Sequence, residues 1–168
     1  MKQVVLFFAV ACCATVVAAR AAGVDDLGRF LGTWTSPGTL YDTAYSKAGT
    51  ATATNTCAWS SDHVFMICQQ SITLNGKLSH AISIYTYDAV KSQYHFFNVG
   101  PDGGDGSIIS VVGDTVTYSN SFTDKGKQVT ILTLNVWESP TLYRWRTEYT
   151  TDSGKTWTLM ASGTSQRQ

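Results

Sequence analysis

Side chains that carry chemistry are scarce in this chain: its 168 residues include only three histidines and four cysteines, and 12 Lys and Arg balance 12 Asp and Glu. A serine triad needs a base held against its nucleophile, and His63, His80 and His95 are the whole histidine supply. A zinc site needs three or four converging His, Cys or carboxylate ligands, and no such spacing occurs. Without excess positive charge there is no basic face for nucleic acid, and no basic amphipathic helix lies ready for a membrane surface. We therefore expect no nucleic-acid partner, no metal, no cofactor and no catalytic constellation. A paired-carboxylate hydrolase stays open, because carboxylates converge in space without a sequence signature.

No apolar run is long enough to span a bilayer. The longest, Val4 to Ala19, has about 16 residues, where a spanning helix needs roughly 20. Lys2 precedes it and Ala19-Arg20-Ala21 ends it in a small-x-small pattern, so residues 1–21 read as a signal peptide cleaved after Ala21. Cys12 and Cys13 sit deep in that run, with Ala9 rather than a branched residue three before Cys12, which does not suit lipidation. Lys2 and Arg20 leave with the peptide, so the mature chain, residues 22–168, would hold ten basic and twelve acidic residues. The expected location is secreted or periplasmic, with no membrane span in the mature form.

Cys57 and Cys68 then remain, and an even pair in an exported chain points to a disulfide. If Asp62-His63 is a two-residue turn, Ser61 pairs with Val64 and Cys57 falls opposite Cys68, within reach of an S–S bond at some antiparallel positions. Two buried free thiols are the alternative.

Beyond Asp25–Leu31, the one stretch that suits a short helix, the pattern has period two. Runs rich in Val, Ile, Thr, Tyr, Phe and Trp alternate with turn signals such as Asn75-Gly76, Gly113-Asp114, Asp124-Lys125-Gly126 and Asp152-Ser153-Gly154. They cut the chain into about ten strands, near 32–43, 50–60, 64–73, 78–87, 92–99, 106–112, 115–123, 128–137, 142–151 and 156–164. No connection has room for a parallel crossover, and closure of such a meander removes its exposed edges. The expected fold is all-β: an antiparallel up-and-down barrel, one domain, with a short N-terminal helix.

Chaining the hairpins, with Tyr87 opposite Ser92, sorts side chains onto two faces. Ala53, Asn55, Cys57, Trp59, Met66, Cys68, Gln70, Ala81, Ser83, Tyr85, Tyr94, Phe96 and Asn98 share one; His80, Ile82, Ile84, His95 and Phe97 are among those on the other. Neither face is cleanly apolar. We assign the first to the interior, since its small, amide and aromatic side chains suit a wet cavity better than a filled core. Along 142–151, Tyr143, Trp145, Thr147 and Tyr149 alternate with Arg144, Arg146 and Glu148, which turns the aromatic side inward.

Gly32-Thr33-Trp34, after the short helical stretch, resembles the Gly-x-Trp opening of calycin-superfamily barrels, which include lipocalins, fatty-acid-binding proteins and haem-binding nitrobindins. Tyr87-Asp88-Ala89-Val90-Lys91-Ser92-Gln93-Tyr94, a Gly-rich segment and Asp152-Ser153-Gly154-Lys155-Thr156-Trp157 follow in the order of a bacterial calycin-like family of unknown function. That resemblance runs from Phe30 to the C-terminus and implies a barrel in which Trp34 plugs the closed end. It does not extend to haem: Thr35-Ser36-Pro37-Gly38 replaces the nitrobindin glycine-rich segment, and no His follows His95 to ligate iron. Thr150 to Trp157 also looks like a propeller Asp-box, a turn-forming motif that a propeller would repeat blade by blade. Asp102-Gly103-Gly104-Asp105-Gly106 matches no EF-hand spacing and reads as a hairpin loop.

The leading functional reading is an exported barrel that binds a small apolar or amphipathic molecule. Trp59, Tyr85, Tyr94, Phe96, Trp145 and Tyr149 would supply contact area, with Gln70, Ser83 and Asn98 orienting the ligand by hydrogen bonds. The rivals are an enzyme or accessory domain using the same cavity, and a filled barrel with a structural or envelope-interaction role. Ligand identity and oligomeric state leave no legible mark.

Overall fold

The computed structural model describes residues 23–168, so the expected signal peptide, with Cys12 and Cys13, lies outside the described residues. A 3-10 helix, Val24–Phe30, leads into ten strands: β1 (Gly32–Leu40), β2 (Gly49–Trp59), β3 (Phe65–Leu74), β4 (Lys77–Asp88), β5 (Gln93–Gly100), β6 (Gly103–Val112), β7 (Thr115–Asp124), β8 (Lys127–Ser139), β9 (Leu142–Thr150) and β10 (Thr158–Arg167). Each strand pairs antiparallel with the next, and β10 pairs with β1 to close a barrel.

Turn chemistry sets the register. Asn75 and Gly76 both take positive φ (48° and 81°), as a type I′ hairpin requires. Lys125 and Gly126 repeat the geometry between β7 and β8 (47° and 77°).

Three expectations are corrected. The Asp62-His63 turn is wider than two residues: the Ser60 amide donates to the Phe65 carbonyl at 2.8 Å, and Ser60 Oγ and Asp62 Oδ1 both accept from the Val64 amide. Two residues are added symmetrically, so Cys57 still faces Cys68. At the next loop but one, Asp88 Oδ1 accepts from the Val90 and Lys91 amides and Ser92 takes φ 53°. That loop closes with Asp88 opposite Gln93, so Tyr85 faces Phe96 and Ser83 faces Asn98. The shift is two residues, and an even shift keeps every side chain on its face. Third, Gly103–Gly106 is strand rather than loop, leaving only Pro101-Asp102 to turn. A Cβ on Gly106 would stand 2.7 Å from the Phe97 ring, so glycine there makes room for that ring on the outer wall.

The disulfide joins Cys57 and Cys68 across β2 and β3. Replacing both with serine should cost about 2 to 3 kcal/mol, because the cross-link closes a short loop in the unfolded chain; a denaturant midpoint unchanged from the parent would refute this.

One end of the barrel is plugged. Trp34 is 1% exposed, its Nε1 donates to the Phe30 carbonyl at 2.9 Å, and the Arg167 guanidinium lies 4.9 Å from its ring centre. Phe30 stacks on Tyr85 at 4.9 Å and meets Trp137 edge-on at 5.0 Å. Leu27, wholly buried, completes the layer. On the outside, Ile67, Ile82, Phe97, Val99 and Ile108 leave the wall of β3 to β6 apolar and exposed.

Candidate functional site: the barrel lumen

Above the plug the barrel is hollow. A cavity of about 460 Å³ rests on Phe30, Trp34 and the Cys57–Cys68 disulfide, walled by Asn55, Gln70, Ile72, Tyr85, Phe96, Asn98, Asp105, Tyr118, Thr133, Asn135 and Tyr143. A second chamber of about 340 Å³ shares Asn55, Ile72, Thr133, Asn135 and Tyr143 with it and adds Leu40, Ala51, Trp145 and Thr147. The shared walls make the two one lumen.

Gln70, Tyr85, Phe96 and Asn98, all expected at the site, face the deep chamber. Ser83 stands just behind them, fully buried, and its hydroxyl donates to Asn98 Oδ1 at 2.9 Å, which fixes that amide. Trp145 borders the upper chamber, where the barrel wall is thinned for it. A Cβ on Gly163 would stand 2.7 Å from the indole and one on Gly38 closer still, so both positions must lack one for the ring to lie flat.

The remaining three expected residues point inward but lie at the barrel's ends. Trp59 lies tilted against His63 with ring centres 4.1 Å apart, at the end where His63 Nε2 meets Asp25 Oδ1 of the 3-10 helix at 3.2 Å. Tyr94 donates to Asp26 Oδ2 at 2.5 Å and accepts from the Gly23 amide, tying the helix over the closed end. Tyr149, at the opposite end, meets Tyr45 edge-on at 4.8 Å. Tyr45 belongs to the loop between β1 and β2, and its hydroxyl donates to Asp124 Oδ2 at 3.2 Å. None of the three borders either chamber.

Sequence reasoning misses Asp105, Tyr118, Asn135 and the buried hydroxyl pair Ser36 and Ser165, 2.5 Å apart. Reading its segment as a loop hides Asp105; with the turn at Pro101-Asp102 it falls opposite Asn98. It accepts from Asn120 Nδ2 at 2.9 Å.

The lumen is polar yet poor in proton-transfer groups. Burial pushes the phenols of Tyr85, Tyr118 and Tyr143 above their ordinary range, and Tyr85 and Tyr118 share a hydroxyl bond of 3.2 Å. Phenols raised in this way stay neutral and serve as hydrogen-bonding groups. Two buried polar atoms in the lumen wall, Asn55 Oδ1 and Trp145 Nε1, have no partner. Among the described residues, no three His, Cys, Asp or Glu side chains converge as metal ligands.

No family model matches the chain. No curated protein matches it either. Solved structures do: Rv2717c from M. tuberculosis, with a TM-score of 0.58 and 15% identity over 89% of this chain and 98% of that one, and the S-type phycobiliprotein lyase CPES from Guillardia theta, with a TM-score of 0.58 and 10% identity over 87% and 93%. At these identities the likeness is one of fold. The fold is calycin-like. Its Gly-Thr-Trp opening places Trp34 as the plug that the calycin resemblance implied.

Proposed function

We propose that this protein is an exported carrier or sensor barrel that holds one small amphipathic molecule in its lumen. The observation that carries the reading is an open cavity of about 460 Å³ whose wall includes an unpartnered, buried Asn55 Oδ1. An unmade hydrogen bond at a buried atom costs about 1 to 3 kcal/mol, and a ligand or water in the lumen offsets that cost. Gln70 and Asn98 offer donors and acceptors beside it, while Tyr85, Phe96 and Tyr118 supply flat apolar area. A filled structural barrel is disfavoured by this empty volume. The disulfide and the N-terminal sequence support export, and the closed ten-strand sheet supports one domain spanning the mature chain.

The test is titration with prodan, a neutral solvatochromic naphthalene. One saturable site is expected, with a blue-shifted emission. Gln70→Leu should weaken binding about tenfold, the equivalent of one hydrogen bond, while the melting temperature stays level or rises as a lumen amide is removed. Absence of saturable binding, by prodan and by charged and neutral naphthalenes alike, would overturn the proposal.

A further inference from the structure

Charge in the lumen is one-sided. Among the described residues, Asp105 is the one Asp, Glu, Lys, Arg or His that borders the deep chamber, and the upper chamber has none. Lys77 and Lys127 share the inward parity of their strands but are exposed at hairpin tips. Asp124 shares it too, at the rim, where the Tyr45 hydroxyl donates to it. Arg29 and Arg167 border a separate depression beside Trp137. A ligand in the lumen therefore meets neutral dipoles, aromatic rings and one carboxylate.

The carboxylate is placed to receive a cation. Asn120 Nδ2 orients Asp105 by donating to it, without neutralising it. From Asp105 a depression continues past Ser79, His80 and Gly100 to Asp102, so a second carboxylate and one imidazole border the approach to Asp105. Deeper in, Phe96 and Tyr118 meet edge to face at 5.1 Å, and ring faces attract cations. The unpartnered Asn55 Oδ1 beside the deep chamber calls for a donor, while the unpartnered Trp145 Nε1 of the upper chamber calls for a neutral acceptor.

We propose that the lumen selects amphipathic amines: the apolar body fills the deep chamber and the protonated nitrogen stays near Asp105. This selectivity rests on the lumen being a binding site, the function proposed for it. A ligand carboxylate would lose hydration with no cation in the chamber lining to pair with, so fatty acids and aromatic acids bind more weakly than amines. Asp105 remains in contact with water, which makes the selection moderate rather than absolute.

Naphthylmethylamine, naphthylmethanol and naphthoate share one ring system and differ in charge, and calorimetry with the intact protein ranks them. The amine should bind about tenfold or more tighter than naphthoate, with the alcohol between. Asp105→Asn should cut amine affinity about fivefold and leave the alcohol's unchanged, so the alcohol also reports that the variant is folded. Added salt should weaken the amine alone. Equal binding of all three would overturn amine selection while leaving the binding function intact, as would equal weakening of amine and alcohol in Asp105→Asn. Failure of all three ligands and of prodan would overturn the binding function itself.

Discussion

Replacing Trp34 with alanine should destabilise the barrel by about 3 to 5 kcal/mol, in the range measured for deletion of large buried aromatics. The indole is 1% exposed and belongs to β1, the strand that pairs with both β2 and β10 to close the barrel. Its removal takes away the bond from Nε1 to the Phe30 carbonyl and leaves the Arg167 guanidinium without its ring. Arg167 also donates from Nη2 to the Arg29 carbonyl at 3.0 Å, so the loss reaches the helix that seals the barrel. Trp34→Phe keeps most of the apolar volume and should lose much less. Urea unfolding checks this: the midpoint should fall with the slope unchanged. A Trp34→Ala loss below about 1 kcal/mol would show that the plug is dispensable.

The second large effect is alkaline. Burial raises the phenols of Tyr85, Tyr118 and Tyr143, and desolvation with the bond to Asp26 pushes Tyr94 up to about 12. In the unfolded chain these groups titrate near 10. Because the folded values lie higher, their contribution is fully present below pH ~10 and is lost as pH rises through the folded values. A buried phenol removes up to about 1.4 kcal/mol per pH unit over that span. Several acting together offset much of the roughly 5 to 15 kcal/mol that holds a typical domain folded. The protein should therefore unfold cooperatively above pH ~11, with phenolate absorbance from the buried tyrosines appearing in step with the loss of β circular dichroism. Titration of Tyr85, Tyr118 and Tyr143 near pH 10 in a folded protein would contradict the burial assigned to them.

The strands can be read from the sequence because their signals are local. Alternating β-branched and aromatic residues between Asn-Gly, Lys-Gly and Asp-Ser-Gly turns give the count and direction of ten strands, and antiparallel order follows from short connections. Faces are legible for a related reason: widening the Asp62-His63 turn symmetrically leaves the partners as they were, and shifting Tyr87 from Ser92 to Tyr94 changes partners without changing parity. Depth along the barrel axis is not legible. Trp59, Gln70 and Tyr149 share one face, but parity says nothing about whether a residue lies at the plug, the cavity or the rim. Distance from the closed end decides that, and it depends on strand stagger summed around the whole ring. Asp105 escapes notice for a different reason, since glycines at 103, 104 and 106 resemble a loop, whereas the Gly106 gap accommodates the Phe97 ring across the ladder. No local propensity encodes that contact.

Binding in the lumen, between the Trp34 plug and the rim at Asp105, is tested most directly by a crystal structure of the protein grown with prodan. Ligand density is expected inside the barrel, in contact with Phe96 and Gln70. Ordered prodan on the apolar outer wall of β3 to β6, over a lumen holding only water, would contradict it.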